Sequence, residues 1–390
     1  MEVGMFHLMP WQQLDERIGW PFADEMYDPE VGTDLYKKYL DQLEYAEPLG
    51  FDFVGLNEHH YSAYGLMPGP NLIAANLANR TKIIDVAVYG TVLPIRGHPI
   101  RVAEEYAMLD NLLEGRFRAG FVRGIPSEYF AYNVHPDNSR GRFREAWDLI
   151  LEAWTAEEPF DWNGEYWQYD DVYIWPRPAQ DPHPPVWRPA ASEQSIRWAA
   201  EHRVPISDVY SSTEEIAEVF DTYRKFAENE FGWSPDDSYF GPMRPIYISE
   251  SREQAREEIE EHAQYFYEVL RGSLYRSGAL KAVGDAEYHS DHTTQYRKVT
   301  PEDGLRAIDF DFDDLIDRGE FIIGSPAEVI EEIEEQYDAM GGIGFLITLL
   351  QFGSMPHEMV RENMERFADD VLPEIRGLTD ASMAHGHSGR

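Results

Sequence analysis

The sequence predicts a single-domain α/β fold, a TIM-type (β/α)8 barrel with insertions. Three observations point there. Short apolar runs alternate with longer amphipathic segments along the chain, the pattern of parallel strands covered by helices. No composition break or linker divides the 390 residues. Finally, 43% of the residues are hydrophobic, enough for one large core. A doubly wound sheet shares the alternation, but an undivided chain of this length favours the closed barrel.

Val3 to Leu8 forms a buried strand, and a helix follows from Asp34 to Leu49, ended by Gly50. Phe51 to Leu56 is the second strand and Asn71 to Asn79 its helix. Ile83 to Leu93, rich in β-formers, is the third, with a helix from Pro99 to Leu113 after it. Phe117 to Val122 leads towards a long amphipathic helix, Ser139 to Trp154. Val186 to Ala191 precedes a helix from Ser195 to His202. A strand between His202 and Thr213 is required by the count but weakly written. Thr213 to Asn229 is helical, Arg244 to Ile248 a strand and Glu253 to Leu270 a helix. Ser325, an N-cap ahead of Pro326, opens a helix to Met340. Ile343 to Leu350 is the last strand and His357 to Val371 the closing helix, so the barrel unit spans 1–376.

Two stretches leave the alternation. Residues 158–185, rich in Trp, Tyr, Pro and Asp, read as an ordered excursion with a hairpin. Gly272 to Gly319 is long, polar and acidic, a length associated with lids or disorder. Residues 377–390 read as a disordered tail.

Acidic residues number 72 against 33 basic ones, a formal net charge of −39. That field repels nucleic acid and anionic membranes, which are therefore excluded as partners. Only Lys37, Lys38, Lys82, Lys225, Lys281 and Lys298 are lysines, and carboxylates are spread through every helix-like segment. Self-repulsion of this size is screened in molar salt, where the Debye length is about 3 Å. The composition thus reads as that of a halophile's cytoplasmic protein. Cysteine is absent, which removes disulfides and thiolate chemistry. The N-terminus lacks the basic and apolar regions of a signal peptide, and no apolar run approaches the roughly 18 residues of a membrane span.

Three motifs sit where strands end, the chemical face of such barrels. Asn57-Glu58-His59-His60 follows the second strand. A histidine there can move a proton near neutral pH, with a neighbouring carboxylate to orient it. The same residues could instead terminate a strand by hydrogen bonding, or hold zinc, although no third ligand has convincing spacing. Arg123 closes the fourth strand before Gly124. Its guanidinium fork suits a phosphate, and an ion pair with a nearby carboxylate is the alternative. Ala190-Ala191-Ser192-Glu193-Gln194-Ser195 joins a strand to a helix. A helix start with serines attracts anions, although Ser192 and Ser195 also suit simple capping. Neither GxGxxG after a strand nor GxxxxGK[ST] is present.

Together these segments resemble the bacterial luciferase-like superfamily of flavin enzymes, over about Val3 to Pro373. The resemblance rests on Leu56 to Leu66, Val92-Leu93-Pro94, His98-Pro99, Arg101, Leu109-Asp110, Gly115-Arg116-Phe117, Arg123-Gly124 and Asp137 to Arg140. It implies a monooxygenase that binds reduced FMN at the barrel mouth, uses O2 and oxidises a small organic substrate such as an aldehyde, ketone or terpene. The reduced flavin would come from a separate reductase, and the protein would be a homodimer. His59 would transfer protons with Glu58 beside it. Arg123, Ser192 and Ser195 would hold the phosphate, with Arg140 a further member of that cluster. Tyr89-Gly90 would lie under the flavin ring at the place where relatives often carry a non-proline cis peptide. Phe6, Trp11, Tyr61 and Tyr64 could line the substrate pocket, and the segment from Gly272 would be a mobile lid. Two positions depart from the family pattern: Val122 replaces a reactive cysteine, and Ala191 a glutamate near the ring. A deazaflavin-dependent hydride transferase on the same fold, or a flavin-binding protein without turnover, are the competing readings.

Overall fold

A computed structural model describes residues 1–14, 26–271 and 310–378. The chain alternates through β1 (Glu2–His7), α1 (Pro29–Tyr45), β2 (Phe53–Leu56), α2 (Pro70–Arg80), β3 (Asp85–Val92), α3 (Pro99–Leu112) and β4 (Phe117–Val122). A short helix α4 (Pro126–Ala131) and the long α5 (Ser139–Thr155) follow, then the hairpin β5 (Phe160–Asn163) and β6 (Gln168–Val172). The second half runs β7 (Val186–Pro189), α6 (Glu193–Glu201), β8 (Ile206–Val209), α7 (Thr213–Asn229), β9 (Phe240–Ile248) and α8 (Arg252–Gln264). It ends with α9 (Phe312–Asp317), β10 (Ile322–Gly324), α10 (Pro326–Ala339), β11 (Phe345–Leu349) and α11 (His357–Arg366).

Eight strands pair in parallel in the order β9-β11-β1-β2-β3-β4-β7-β8, and β8 pairs back onto β9. The sheet therefore closes into a (β/α)8 barrel. β10 is a ninth strand laid along β9, and β5 and β6 make a separate antiparallel ribbon.

Differences from the sequence reading have local causes. α1 starts at Pro29 because Asp28 caps the Glu30 amide and Pro29 supplies a preset first turn. β9 starts at Phe240, although Pro242 and Pro245 argue against a strand there. The weakly written strand is β8, four residues from Ile206 to Val209. The segment Tyr265–Arg271 continues α8 as a π-helical turn. Of the proposed lid, 272–309 lie outside the described residues, as does the tail from 379.

The barrel is plugged at its N-terminal end. Trp187 stacks on Phe345 at 4.6 Å and meets Phe53 edge-on at 5.3 Å. Gly241 makes room for this: a β-carbon there would lie 2.1 Å from the Phe345 ring. The Arg118 guanidinium covers Phe53 and Trp187 at 5.0 and 5.1 Å, and pairs with Glu2 and Asp85. Arg118, from the same strand as Arg123, is thus a structural residue. Among the described residues, the cavity that carries the candidate site opens at the C-terminal end, where the strands hand over to their loops.

Candidate active site

A cavity of about 330 Å³ opens at that end, a size suited to a small-molecule ligand. The nine residues expected from sequence to carry catalysis or hold the cofactor line it: Glu58, His59, Tyr89, Gly90, Arg123, Arg140, Ala191, Ser192 and Ser195. Phe6 and Tyr64 line it too. Trp11 does not; it is buried against Tyr27 at 5.0 Å. Tyr61 is 59% exposed, in a left-handed conformation that turns the chain outward.

One corner is cationic. Arg123 ends β4, Arg140 and Arg144 project from the first turns of α5, and Arg188 comes from β7. Gly124, at φ +91°, makes the sharp turn after Arg123, and Tyr129 fixes it by donating to the Arg123 carbonyl at 2.8 Å. Arg188 is 7% exposed and lies over Phe143 and Trp198, 4.8 Å from each ring. Burial, and then the charges of Arg123 and Arg144, pull its proton affinity well below the usual guanidinium value. Burial and Arg140 act in the same direction on Arg144. Like charges gathered this way in a chain of net charge −39 fit a multiply charged anion. Ser192 and Ser195 form a capping box at the start of α6: each hydroxyl accepts the other's amide, at 3.4 and 3.1 Å. Both readings of the serines therefore meet at one place, since capping orients a helix start that carries positive potential.

The second centre is His59. The glutamate beside it in sequence does not serve it. Glu58 is 2% exposed and accepts from Arg96, from His60 Nε2 at 2.6 Å and from the Val92 amide at 3.2 Å. His60 in turn bonds the Tyr132 hydroxyl at 3.0 Å. Successive side chains on an extended segment point to opposite sides, so Glu58 and His60 share one side and His59 takes the other. The carboxylate that meets His59 is Glu128 of α4: Nδ1 and Oε1 are 3.0 Å apart. Glu128 is 1% exposed, and its second oxygen accepts the Ile125 amide at 2.9 Å. This arrangement favours the proton on Nδ1 and turns Nε2 into an acceptor. Tyr64 abuts the imidazole edge-on at 5.0 Å and bonds the Tyr210 hydroxyl across the mouth at 2.7 Å.

Tyr89-Gly90 corrects one expectation. The cis peptides among the described residues are Trp175–Pro176 and Asp181–Pro182, so the Tyr89–Gly90 bond is trans. The β3–β4 register shifts between Val88 and Thr91, and that irregularity brings Gly90 to the cavity wall without a cis bond. Asn57, a lining residue, has its Oδ1 buried with no partner among the described residues.

A family model described as luciferase-like monooxygenase matches residues 18–342. The chain belongs to the luciferase-like monooxygenase family. It is an oxidoreductase, as the named relatives are flavin-dependent monooxygenases. The oxygenase component of a flavin-dependent trigonelline monooxygenase from Acinetobacter baylyi is 24% identical over 90% of this chain and 92% of its own. The oxygenating constituent of 3,6-diketocamphane monooxygenase from Pseudomonas putida, in complex with FMN, superposes with a TM-score of 0.74 at 21% identity. That match covers 96% of this chain and 98% of the other. An F420-dependent secondary alcohol dehydrogenase shares the fold at TM-score 0.67 and 17% identity, over 96% and 99% of the chains. Of these two structural neighbours of this luciferase-like monooxygenase, one thus carries FMN and the other depends on F420.

Sequence reasoning missed Glu128, Arg144, Arg188, Asp208, Tyr210 and Arg271, all of which line the cavity. Arg188 carried a signal, a cation inside a strand otherwise headed for burial. Glu128 carried none, being 69 residues from its histidine.

Proposed function

We propose that this luciferase-like monooxygenase binds reduced FMN in the barrel-mouth cavity and uses O2 to oxidise a small, largely apolar organic substrate. The observation that carries the reading is the meeting, in one cavity, of a four-arginine corner with a His59–Glu128 pair. A phosphate monoester dianion is the ligand end that suits Arg123, Arg140, Arg144 and Arg188 together with the start of α6. Ala191 and Gly90 give a flat approach to a planar ring. When bound, the reduced flavin would supply two of the four electrons that take O2 to product oxygen and water, the substrate supplying the other two.

The chain's own residues then position and move protons. Glu128 holds His59 with Nδ1 as donor, so Nε2 faces the cavity as a base and, once protonated, as an acid. A group used this way contributes about 10²–10⁴-fold in rate. Phe6 and Tyr64 keep the substrate end apolar and restrict water.

Reduced FMN comes from a separate reductase, as the words "oxygenase component" indicate for the trigonelline enzyme. The charge pattern supports work in a salt-rich cytoplasm. No helix among the described residues is long and apolar enough to cross a membrane. The protein forms a homodimer, a reading to which the exposure of Leu72 on α2 (77%) and of Met108 and Leu112 on α3 (50% and 52%) lends support. The barrel spanning 1–376 acts as one unit.

Oxygen uptake tests the reading. Photoreduced FMN and a panel of aldehydes, ketones and terpenes should give substrate-dependent oxygen consumption, and reduced deazaflavin should give none. His59→Ala should retain FMN binding and lose most turnover. Substrate reduction by deazaflavin without oxygen uptake would instead assign the hydride-transfer branch.

A further inference from the structure

The cavity holds a carboxyl group that neither the His59 pair nor the arginine corner uses. Asp208 is the third residue of β8, paired with Pro242 of β9, which places it near the strand's C-terminal end on the open rim. It lines the cavity beside Tyr210, Met243 and Arg271. The residue is 7% exposed, and its hydrogen bonds are local: the Val209 amide donates at 2.8 Å, and the Ser211 hydroxyl bonds it as well.

The charges around it are committed elsewhere. Arg244 of β9 donates from Nε to Gln336 at 2.8 Å and from Nη1 to the Ser211 carbonyl at 2.9 Å. Arg271 sits 4.3 Å above the Tyr210 ring and is drawn to Glu320 at 3.7 Å. Glu215 of α7 repels Asp208 and is itself engaged by Ser212 and Arg318. A carboxylate buried for structural reasons is normally paired, because an isolated charge is costly in a low dielectric. Among the described residues Asp208 makes no ion pair, Arg244 acting on it through its charge without pairing, and a carboxyl so placed on the wall of a ligand cavity has the placement of an acid–base group.

We propose that Asp208 is a second acid–base group of this cavity, exchanging a proton with the bound ligand from the β8 wall, independently of His59. The proposal rests on the flavin reading. In the donating direction, the Asp208 O–H bond breaks and an O–H or N–H bond forms on a ligand atom that is gaining negative charge. The carboxylate left behind regains its proton from water at the cavity mouth. Burial, opposed by the Val209 amide, the Ser211 hydroxyl and Arg244, pushes Asp208 up to about 7, where both forms are populated near neutrality.

An anionic ligand that displaces water from the cavity favours the neutral carboxyl twice, by repulsion and by desolvation. FMN binding at pH 7 should therefore draw a proton into the protein. Calorimetric titration of FMN into the full chain at high KCl, in two non-phosphate buffers of unlike ionisation heat, reads that uptake directly. The wild type should take up a fraction of a proton. Asp208→Asn should bind FMN and lose that uptake, while Asp208→Glu should keep it with an altered pH dependence. FMN binding with the same uptake in the asparagine variant overturns the assignment and leaves the flavin reading standing. Failure of the wild type to bind FMN in either the oxidised or, under anaerobic titration, the reduced form overturns both. If the asparagine variant does not fold, an unchanged pH profile in Asp208→Glu overturns the assignment.

Discussion

Replacing Glu128 with glutamine separates its two tasks. One oxygen meets His59 Nδ1 at 3.0 Å and the other accepts the Ile125 amide at 2.9 Å. Glutamine offers one acceptor and one donor in their place. If its oxygen stays with Ile125, its NH2 faces Nδ1 and moves the imidazole proton to Nε2. If it flips, the NH2 opposes the Ile125 N–H. The first arrangement exchanges a charge-assisted hydrogen bond for a neutral one, and the second loses the Ile125 bond outright, at about 1.5–3 kcal/mol. The first arrangement also presents the cavity with a donor where a base is needed. The rate should then fall by much of the roughly 10²–10⁴-fold that such a group supplies. The assay is substrate-dependent oxygen uptake with reduced FMN, read beside a melting curve. We expect kcat to drop at least tenfold, with a small drop in melting temperature and FMN affinity preserved. A variant with wild-type kcat and a lowered melting temperature would refute the argument, leaving Glu128 as a loop clamp.

Three further outcomes follow from the same contacts. Glu58→Ala strands the partners Arg96, His60 and the Val92 amide, so it should lose about 3 kcal/mol or more by denaturant titration, whereas His59→Ala, which strands one oxygen of Glu128, should lose less; equal stabilities would remove Glu58 from its structural role. Asp208, raised from 3.8 to about 7, binds more protons folded than unfolded between those values, so its contribution falls as pH rises through that window. Asp208→Asn should gain up to about 4 kcal/mol over the wild type at pH 8, at about 1.36 kcal/mol per pH unit, and nothing below pH 4; a stability difference independent of pH would contradict this. With 72 acidic residues, the melting temperature should climb steeply between 0.1 and 1 M KCl, where the Debye length shrinks from about 10 to 3 Å; a flat curve would sink the reading of a salt-adapted protein.

The fold was legible because burial writes itself into strands: β1, β3, β4 and β11 are apolar throughout or nearly so, and a parallel sheet demands that. β8 was faint because it spends two of four residues on Ser207 and Asp208, the second of which lines the cavity. β9 was truncated because prolines that usually mark edges are tolerated in it. The site was legible wherever its residues end a strand or start a helix, as Arg123 and Ser192 do. It was illegible where a pair forms across the barrel. Adjacency suggested Glu58 for His59, but alternation along an extended chain turns neighbours apart, and closure of the barrel brings Glu128 instead. The arginine corner was seen through Arg123 and Arg140; Arg188 joined it only when β7 was set beside β4.

The account turns on what the four arginines hold. Titrating FMN and riboflavin into wild type, Arg123→Ala and Arg188→Met at high salt asks that directly. Each arginine variant should bind FMN at least tenfold more weakly, from a charged hydrogen bond of about 1.5–3 kcal/mol, and bind riboflavin as the wild type does. Equal FMN affinity in all three proteins, or riboflavin weakened as much as FMN, would contradict a phosphate at that corner.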